Sequence, residues 1–271
     1  MTDCISGYIS LGADKLHYLQ IGSGKRLLVS FHGYGNEANI FSELCKEIEN
    51  EFTCINIDLP YHGNSEWRDL KLTEEQVVLL IKELKTKFAV DKVSLVGYSI
   101  GGRICLKIAE LIPEDIDKVV LLASDGLRFN LFYYFLTRTS SGRTLFTSFL
   151  NNPKPYGVLI ETARKLGMIN TLRYNFAMRY VRAEKEREFL LKVWPCLSLL
   201  IPDINKLKSI VEQHDINLGV FMGKHDVIIP PALGIGFKKN IPSADLVILD
   251  KGHKILDTDT IPVIAKYIRS I

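Results

Sequence analysis

The chain has no segment long and apolar enough to cross a bilayer, and its first ten residues, MTDCISGYIS, hold no basic stretch followed by an apolar one. A cytoplasmic location is the expectation. Cysteine is sparse: Cys4, Cys45, Cys54, Cys105 and Cys196 are odd in number, scattered and without CxxC spacing. That pattern indicates neither a disulfide framework nor a zinc site, leaving reduced core thiols and no metal as the expectation. No internal repeat, low-complexity tract or Gly/Ser linker divides the 271 residues. With 47% hydrophobic and 24% charged residues the chain can bury one large core, at a size where an α/β architecture forms a single domain with an insertion.

What the sequence does contain is alternation. Strand-like apolar runs appear at Ile5 to Leu11, Leu16 to Ile21, Leu27 to Phe31, Phe52 to Ile57, Val93 to Val96, Lys118 to Ala123, Asn217 to Met222 and Leu246 to Leu249. Helical patterns lie between the later ones: Ala38 to Glu49, Thr73 to Phe88 with Thr73 as N-cap and Gln76 three residues on, Gly101 to Leu111 ended by Pro113, and Asp203 to Gln213. Strands alternating with helices predict a mostly parallel sheet covered on both faces. The first two strands are separated only by Gly12 to Asp14, too short for a helix, and so pair antiparallel.

From Gly126 to Cys196 the alternation stops, and several helical stretches follow one another. This segment reads as an insertion at the carboxyl edge of the sheet, where α/β proteins bind ligands. It carries twelve Lys and Arg against four Glu, an excess of eight positive charges. The rest of the chain, with 22 basic and 27 acidic residues, is net −5. Thirteen of the 26 aromatic residues also fall in the insertion. Three readings stay open: an apolar pocket with cationic rims, a face resting on an anionic membrane surface, or a solvated basic face over an aromatic core. Nucleic-acid binding is not indicated, since no recognition motif accompanies the charge.

The chemistry centres on VSLVGYSIGG at 93 to 102, a GxSxG sequence with a strand before it and a helix after it. The turn between the two is so tight that side chains at its flanks would clash, and it lifts the Ser99 hydroxyl above the sheet edge as candidate nucleophile. The first amides of the following helix, led by Ile100, favour negative charge developing at the same spot. An alcohol is nearly inert at neutral pH and needs a base, which His253 in LDKGHKIL supplies, just past the last strand. His17, His62 and His214 read as structural or solvated. The imidazole needs a carboxylate, and Asp226 in VFMGKHDVIIP follows the penultimate strand on the same edge. Its rival is Asp125, which ends the strand after the nucleophile helix and could instead cap the first insertion helix. A glycine-rich loop at His32, Gly33, Tyr34, Gly35 can bring the Tyr34 amide beside that of Ile100 to share an oxyanion, with His32 itself a structural hydrogen-bonding residue.

These residues, with DLPYHGNS at 58 to 65, give the chain a resemblance to the serine-nucleophile branch of the α/β-hydrolase family that covers nearly all of it. The resemblance implies an eight-stranded, mostly parallel sheet with strand 2 antiparallel and helices on both faces. It also implies a core of residues 1–125 and 197–271, a helical cap (lid) at 126–196 inserted after strand 6, no cofactor and an acyl-enzyme intermediate. Tyr61 departs from the pattern, since many relatives carry Gly there. Dehalogenases and epoxide hydrolases of this fold use a carboxylate nucleophile, which Ser99 argues against.

The expected reaction is hydrolysis of a small carboxylic ester or related acyl compound. The alternative is a carbon–carbon hydrolase or lyase on a carboxylate-bearing substrate, because GYSIGGR places Arg103 one helical turn after Ser99, as in the menaquinone-pathway lyase of this fold. Arg103 either grips such a substrate or pairs with an acidic neighbour. A slow-turnover ligand receptor that keeps the triad is a third reading. The partner expected in every case is a small molecule, and no sequence feature assigns an oligomeric state.

Overall fold

The computed structural model describes residues 4–169 and 171–270; the start of the N-terminal stretch, Asn170, Ile271 and the side chains of Leu172, Arg173 and Phe176 lie outside the described residues. One of the insertion's twelve basic residues, Arg173, is thereby among them. Eight described strands form one sheet: β1 (Ile5–Leu11), β2 (Asp14–Ile21), β3 (Arg26–Phe31), β4 (Phe52–Ile57), β5 (Val93–Tyr98), β6 (Ile116–Leu122), β7 (Asn217–Gly223) and β8 (Asp245–Leu249). Their spatial order is β1-β2-β4-β3-β5-β6-β7-β8. β2 runs antiparallel to both β1 and β4, and every other pairing is parallel. This is the eight-stranded, mostly parallel sheet with strand 2 antiparallel that the resemblance implies.

The helices of the core begin with α1 (Ser42–Ile48), preceded by a separate 3-10 turn at Ala38–Phe41, so the single helix expected over 38–49 is two pieces. α2 (Glu74–Phe88) opens on the expected cap: the Thr73 hydroxyl accepts from the Gln76 amide, and the Gln76 side chain accepts from the Thr73 amide. α3 (Ile100–Leu111) starts immediately after Ser99. The insertion forms α4 (Leu131–Arg138), α5 (Ser140–Asn151), α6 (Pro153–Lys165), α7 (Thr171–Arg182) and α8 (Glu184–Cys196). α9 (Ile204–Gln213) is capped by Asp203, whose carboxylate accepts from the Asn205 and Lys206 amides. Two further helices, α10 (Pro231–Asn240) and α11 (Ile261–Arg269), answer to none of the expected elements. α10 contains Gly234, where a Cβ would meet Met222 at 2.7 Å, and Gly236, and the two blur its apolar periodicity.

Strand parity separates the two faces. Leu28, Val96, Val120 and Phe221 share one core cluster with Leu44 and Ile48 of α1 and with Ile261, Ile264 and Ile268 of α11. The alternate positions face α3, and there the approach is backbone to backbone: a Cβ on Gly97 would lie 2.3 Å from the Gly102 Cα, and one on Gly101 1.9 Å from the Phe31 carbonyl oxygen. β5, at the centre of the sheet, is buried along its whole length.

The described chain divides into two compact units, one of residues Met1–Arg68, Leu72–Phe129 and Leu200–Ile271, the other of Asp69–Lys71 and Asn130–Leu199. Within the second, the Phe146 ring stacks on Trp194 and the Tyr133 hydroxyl donates to the Trp194 carbonyl at 2.9 Å. Arg187 donates to the carbonyls of Leu150, Tyr180 and Val181, the last turns of α5 and α7, so this cation serves helix ends that would otherwise lack donors. Large side chains such as Leu131, Phe132, Val158 and Leu159 are exposed. Among the described residues no helix is long and apolar enough to cross a membrane.

One buried carboxylate ties the loops after β3 and β4 to strand β2. Asp58 accepts from the Ala38 amide at 2.6 Å, the Asn64 amide at 3.0 Å and His17 Nδ1 at 2.7 Å, and its carboxylate fills the space above Gly63. The chain bends here through Tyr61 at φ 66°, which accounts for the Gly that many relatives carry at this place. Replacing Asp58 by Ala strands two amides and an imidazole in the interior. The variant is expected to lose about 3–5 kcal/mol, read as a lowered midpoint in urea unfolding.

Candidate active site

Ser99 occupies the elbow between β5 and α3 at φ 52° and ψ −118°, a backbone conformation that L residues rarely adopt. Neighbouring backbone holds it there. Its amide donates to the Leu122 carbonyl at 2.9 Å, and its own carbonyl accepts from Gly102 at 3.1 Å and Asp125 at 2.9 Å. The Ile100 amide is the first N–H of α3, one of those a helix leaves without an intrahelical acceptor.

Two loops at the carboxyl edge bring the other side chains to Ser99. The turn after β7 and the loop after β8 pass in direct backbone contact, since a Cβ on Gly223 would fall 2.0 Å from the Gly252 carbonyl oxygen. The Lys224 amide donates to Leu249 at 2.8 Å and the His225 amide to Lys251 at 2.9 Å. Tied in this way, Asp226 Oδ2 accepts from His253 Nδ1 at 2.7 Å, and His253 Nε2 lies 3.2 Å from Ser99 Oγ. With a carboxylate on Nδ1, that nitrogen carries the proton and Nε2 is left to accept from the serine hydroxyl. The other Asp226 oxygen accepts from the Ile228 and Ile229 amides at 2.8 and 2.9 Å, and the side chain is wholly buried. Three donors therefore hold its negative charge in place.

The other acid is elsewhere. Asp125 pairs with Arg103 at 3.1 Å and accepts from the Gly126 amide at 2.8 Å, while α4 is capped by Asn130. Arg103, its side chain 4% exposed, thus meets an acidic neighbour from the end of β6.

The glycine-rich loop is pinned by two histidines. The Leu59 amide donates to His32 Nε2 at 3.0 Å, so Nδ1 bears the proton and donates to the Gly33 carbonyl at 2.8 Å. Burial, with His62 adding repulsion, pulls the His32 imidazole from 6.5 down to about 3. The Gly35 amide donates to His62 Nε2 at 3.2 Å, and burial lowers the His62 pKa as well. Gly33 packs on the Tyr98 ring, where a Cβ would lie 2.9 Å away, and this sets the loop carrying Tyr34 against the elbow. Tyr98 is the contact that the sequence does not announce. Its hydroxyl donates to the His253 carbonyl at 3.3 Å, its ring stands 5.3 Å from the His253 ring, and burial pushes its phenol up to about 12. The only trace of this in the sequence is its position within GYSIG. Among the described residues, no three His, Cys, Asp or Glu side chains gather as metal ligands.

A hydroxyl, an imidazole and a carboxylate stand in line above a mostly parallel sheet, and comparison with known proteins identifies the fold. The alpha/beta hydrolase fold family matches residues 26–260, and the chain belongs to that family. It is 26% identical over 257 residues to the dihydrolipoyllysine-residue acetyltransferase component of the acetoin cleaving system of Pseudomonas putida, covering 90% of this chain and 63% of that protein. It is 27% identical over 111 residues to the pimeloyl-[acyl-carrier protein] methyl ester esterase of Proteus mirabilis, 41% of each chain. The matches thus span less than two thirds of either relative's length. Among solved structures, the 2-hydroxy-6-oxo-6-phenylhexa-2,4-dienoate hydrolase of a Rhodococcus strain superposes over 100% of both chains with a TM-score of 0.65 at 23% identity, a likeness of fold.

The His32 environment has a pH signature. Between 6.5 and about 3 the unfolded chain binds a proton that the folded chain refuses, so this site's contribution to stability is complete above 6.5 and is lost as pH falls toward 3. The measurement is an NMR titration of the His32 ring. Its signals are expected to stay flat from neutral pH down to about pH 4, well below the ordinary imidazole range.

Proposed function

We propose that the protein is a serine hydrolase acting on a small carboxylic ester or related acyl compound through an acyl-enzyme intermediate. The observation that carries the reading is the line from Asp226 Oδ2 to His253 at 2.7 Å and from His253 Nε2 to Ser99 Oγ at 3.2 Å. In the first half-reaction Ser99 Oγ attacks the acyl carbon, and His253 takes the hydroxyl proton and returns it to the departing alkoxide. In the second, His253 deprotonates a water that attacks the acyl-serine, and Ser99 is released. Asp226 fixes the imidazole tautomer and offsets the imidazolium charge. The amides of Tyr34 and Ile100 are assigned to the oxyanion, a service worth about 10² to 10³ in turnover per donor.

The pairing of Arg103 with Asp125 favours an ester over the carboxylate-bearing substrate of a carbon–carbon hydrolase. A guanidinium buried against its own carboxylate would have to give up that partner before it gripped another. The family relationship supports acyl chemistry in general and leaves the acyl and leaving groups to experiment.

Fluorophosphonate labelling, followed by a panel of esters, thioesters and vinylogous diketones, tests the proposal. Ser99→Ala is expected to abolish labelling. Asp226→Asn should lower ester turnover by around 10⁴, because the imidazole then takes the wrong tautomer. Near-normal activity in that variant would transfer the role to Asp125, and labelling that survives Ser99→Ala would end the reading.

A further inference from the structure

The proposed nucleophile is not the chain's only hydroxyl joined to an imidazole and a carboxylate. Across the outermost strand β1, its neighbour β2 and the loop after β4, Ser6 Oγ lies 2.7 Å from His17 Nε2, and His17 Nδ1 lies 2.7 Å from Asp58 Oδ2. Asp58 can only accept, so Nδ1 carries the proton and Nε2 accepts from the Ser6 hydroxyl. The ring is held as firmly as that of His253. Tyr8, directly across from His17 in the β1–β2 register, meets it edge-on with centroids 5.3 Å apart, and the Ala38 and Asn64 amides fix the carboxylate behind it. His17 and Asp58 are 3% and 2% exposed, whereas Ser6 lies open on the outermost strand. Tying β2 to the 58–65 loop explains the buried pair. That role also takes the Ser6 hydroxyl as donor to the buried Nε2, and the residue supplying it is exposed on the outer strand, open to an acyl donor.

We propose that Ser6 is a second nucleophilic hydroxyl, which accepts acyl groups from activated esters with His17 as its base. Ser6 Oγ attacks the acyl carbon, its proton passes to His17 Nε2, the bond from carbon to the leaving oxygen breaks, and the departing phenolate or alkoxide takes the proton. The product is one ester on Ser6. Ser6 sits within a strand and not at a helix N-terminus, so the oxyanion support available at Ser99 is missing here, and the second half-reaction is correspondingly slow. The acyl group therefore accumulates as a stoichiometric modification.

The test does not depend on the function proposed for Ser99, because it uses the Ser99→Ala chain. Ser10 supplies an internal standard. It is exposed on the same face of β1, four residues along, and lies across from Lys15 where Ser6 has its imidazole. After brief exposure to p-nitrophenyl acetate, peptide mapping by mass spectrometry should find acetyl-Ser6 formed about 10²-fold faster than acetyl-Ser10, the usual gain from a positioned general base. His17→Gln should reduce Ser6 to the Ser10 rate; if that variant fails to fold, the ratio in the Ser99→Ala chain carries the test alone. Ser6→Ala in the otherwise natural chain should leave ester turnover at Ser99 unchanged. Equal acetylation of Ser6 and Ser10, or none on Ser6, would overturn the proposal.

Discussion

Around Ser99 the main chain packs on the main chain, and no side chain larger than hydrogen fits at three of the surrounding positions. Gly97 lies against Gly102 and Gly101 against the Phe31 carbonyl, which draws the start of α3 down onto the ends of β3 and β5. The left-handed φ of Ser99 is the consequence of that closeness, and hydrogen bonds to Leu122, Gly102 and Asp125 hold it. A strained residue persists only where its surroundings over-determine it, and here they do so with backbone alone. The hydroxyl and the Ile100 amide, both properties of the elbow, are aimed by the same constraint.

The same economy governs the loops that carry the base and the acid. Gly223 slides past Gly252, two amide–carbonyl bonds tie the strands' extensions together, and the Asp226–His253 pair forms across the seam. Asp226 and Asp58 are built alike: each is buried, each accepts from two amides, and each holds one imidazole by Nδ1. A buried carboxylate is costly until it is surrounded by donors, and once surrounded it fixes the ring it touches. What distinguishes the two is the setting of the hydroxyl beyond the ring, at a helix N-terminus in one case and in mid-strand in the other.

Much of this was legible in the residues. The alternation of apolar runs, the Thr73 capping box and the GYSIGG elbow are local signals, and each corresponds to the structure nearly residue for residue. α11 falls outside the expected elements although Ile261, Ile264, Ala265 and Ile268 recur at helical spacing around Pro262. α10 is not legible in the residues, because Gly234 and Gly236 blur the periodicity, and the close approach to Met222 that Gly234 permits is visible only in three dimensions. Asp125 and Asp226 both follow strands on the same edge; the turn between Gly223 and Pro230 and the order Ser99, Asp226, His253 favour Asp226, while the contact itself belongs to the tertiary structure. The choice between a substrate and a neighbour as the partner of Arg103 is open in the sequence.

By itself the sequence determined the order of the strands along the chain, the mostly parallel pairing and the placing of Ser99, Asp226 and His253 at the carboxyl edge, because sterics and periodicity act over a few positions. The tertiary structure alone decided which acid meets His253, that Arg103 is taken by Asp125, that Tyr98 bridges the glycine loop and the histidine loop, and that Ser6 faces His17. Those contacts join residues far apart in the chain. They depend on distances of a few tenths of an ångström that no local rule contains, since hydrogen bonding falls away steeply once donor and acceptor leave reach.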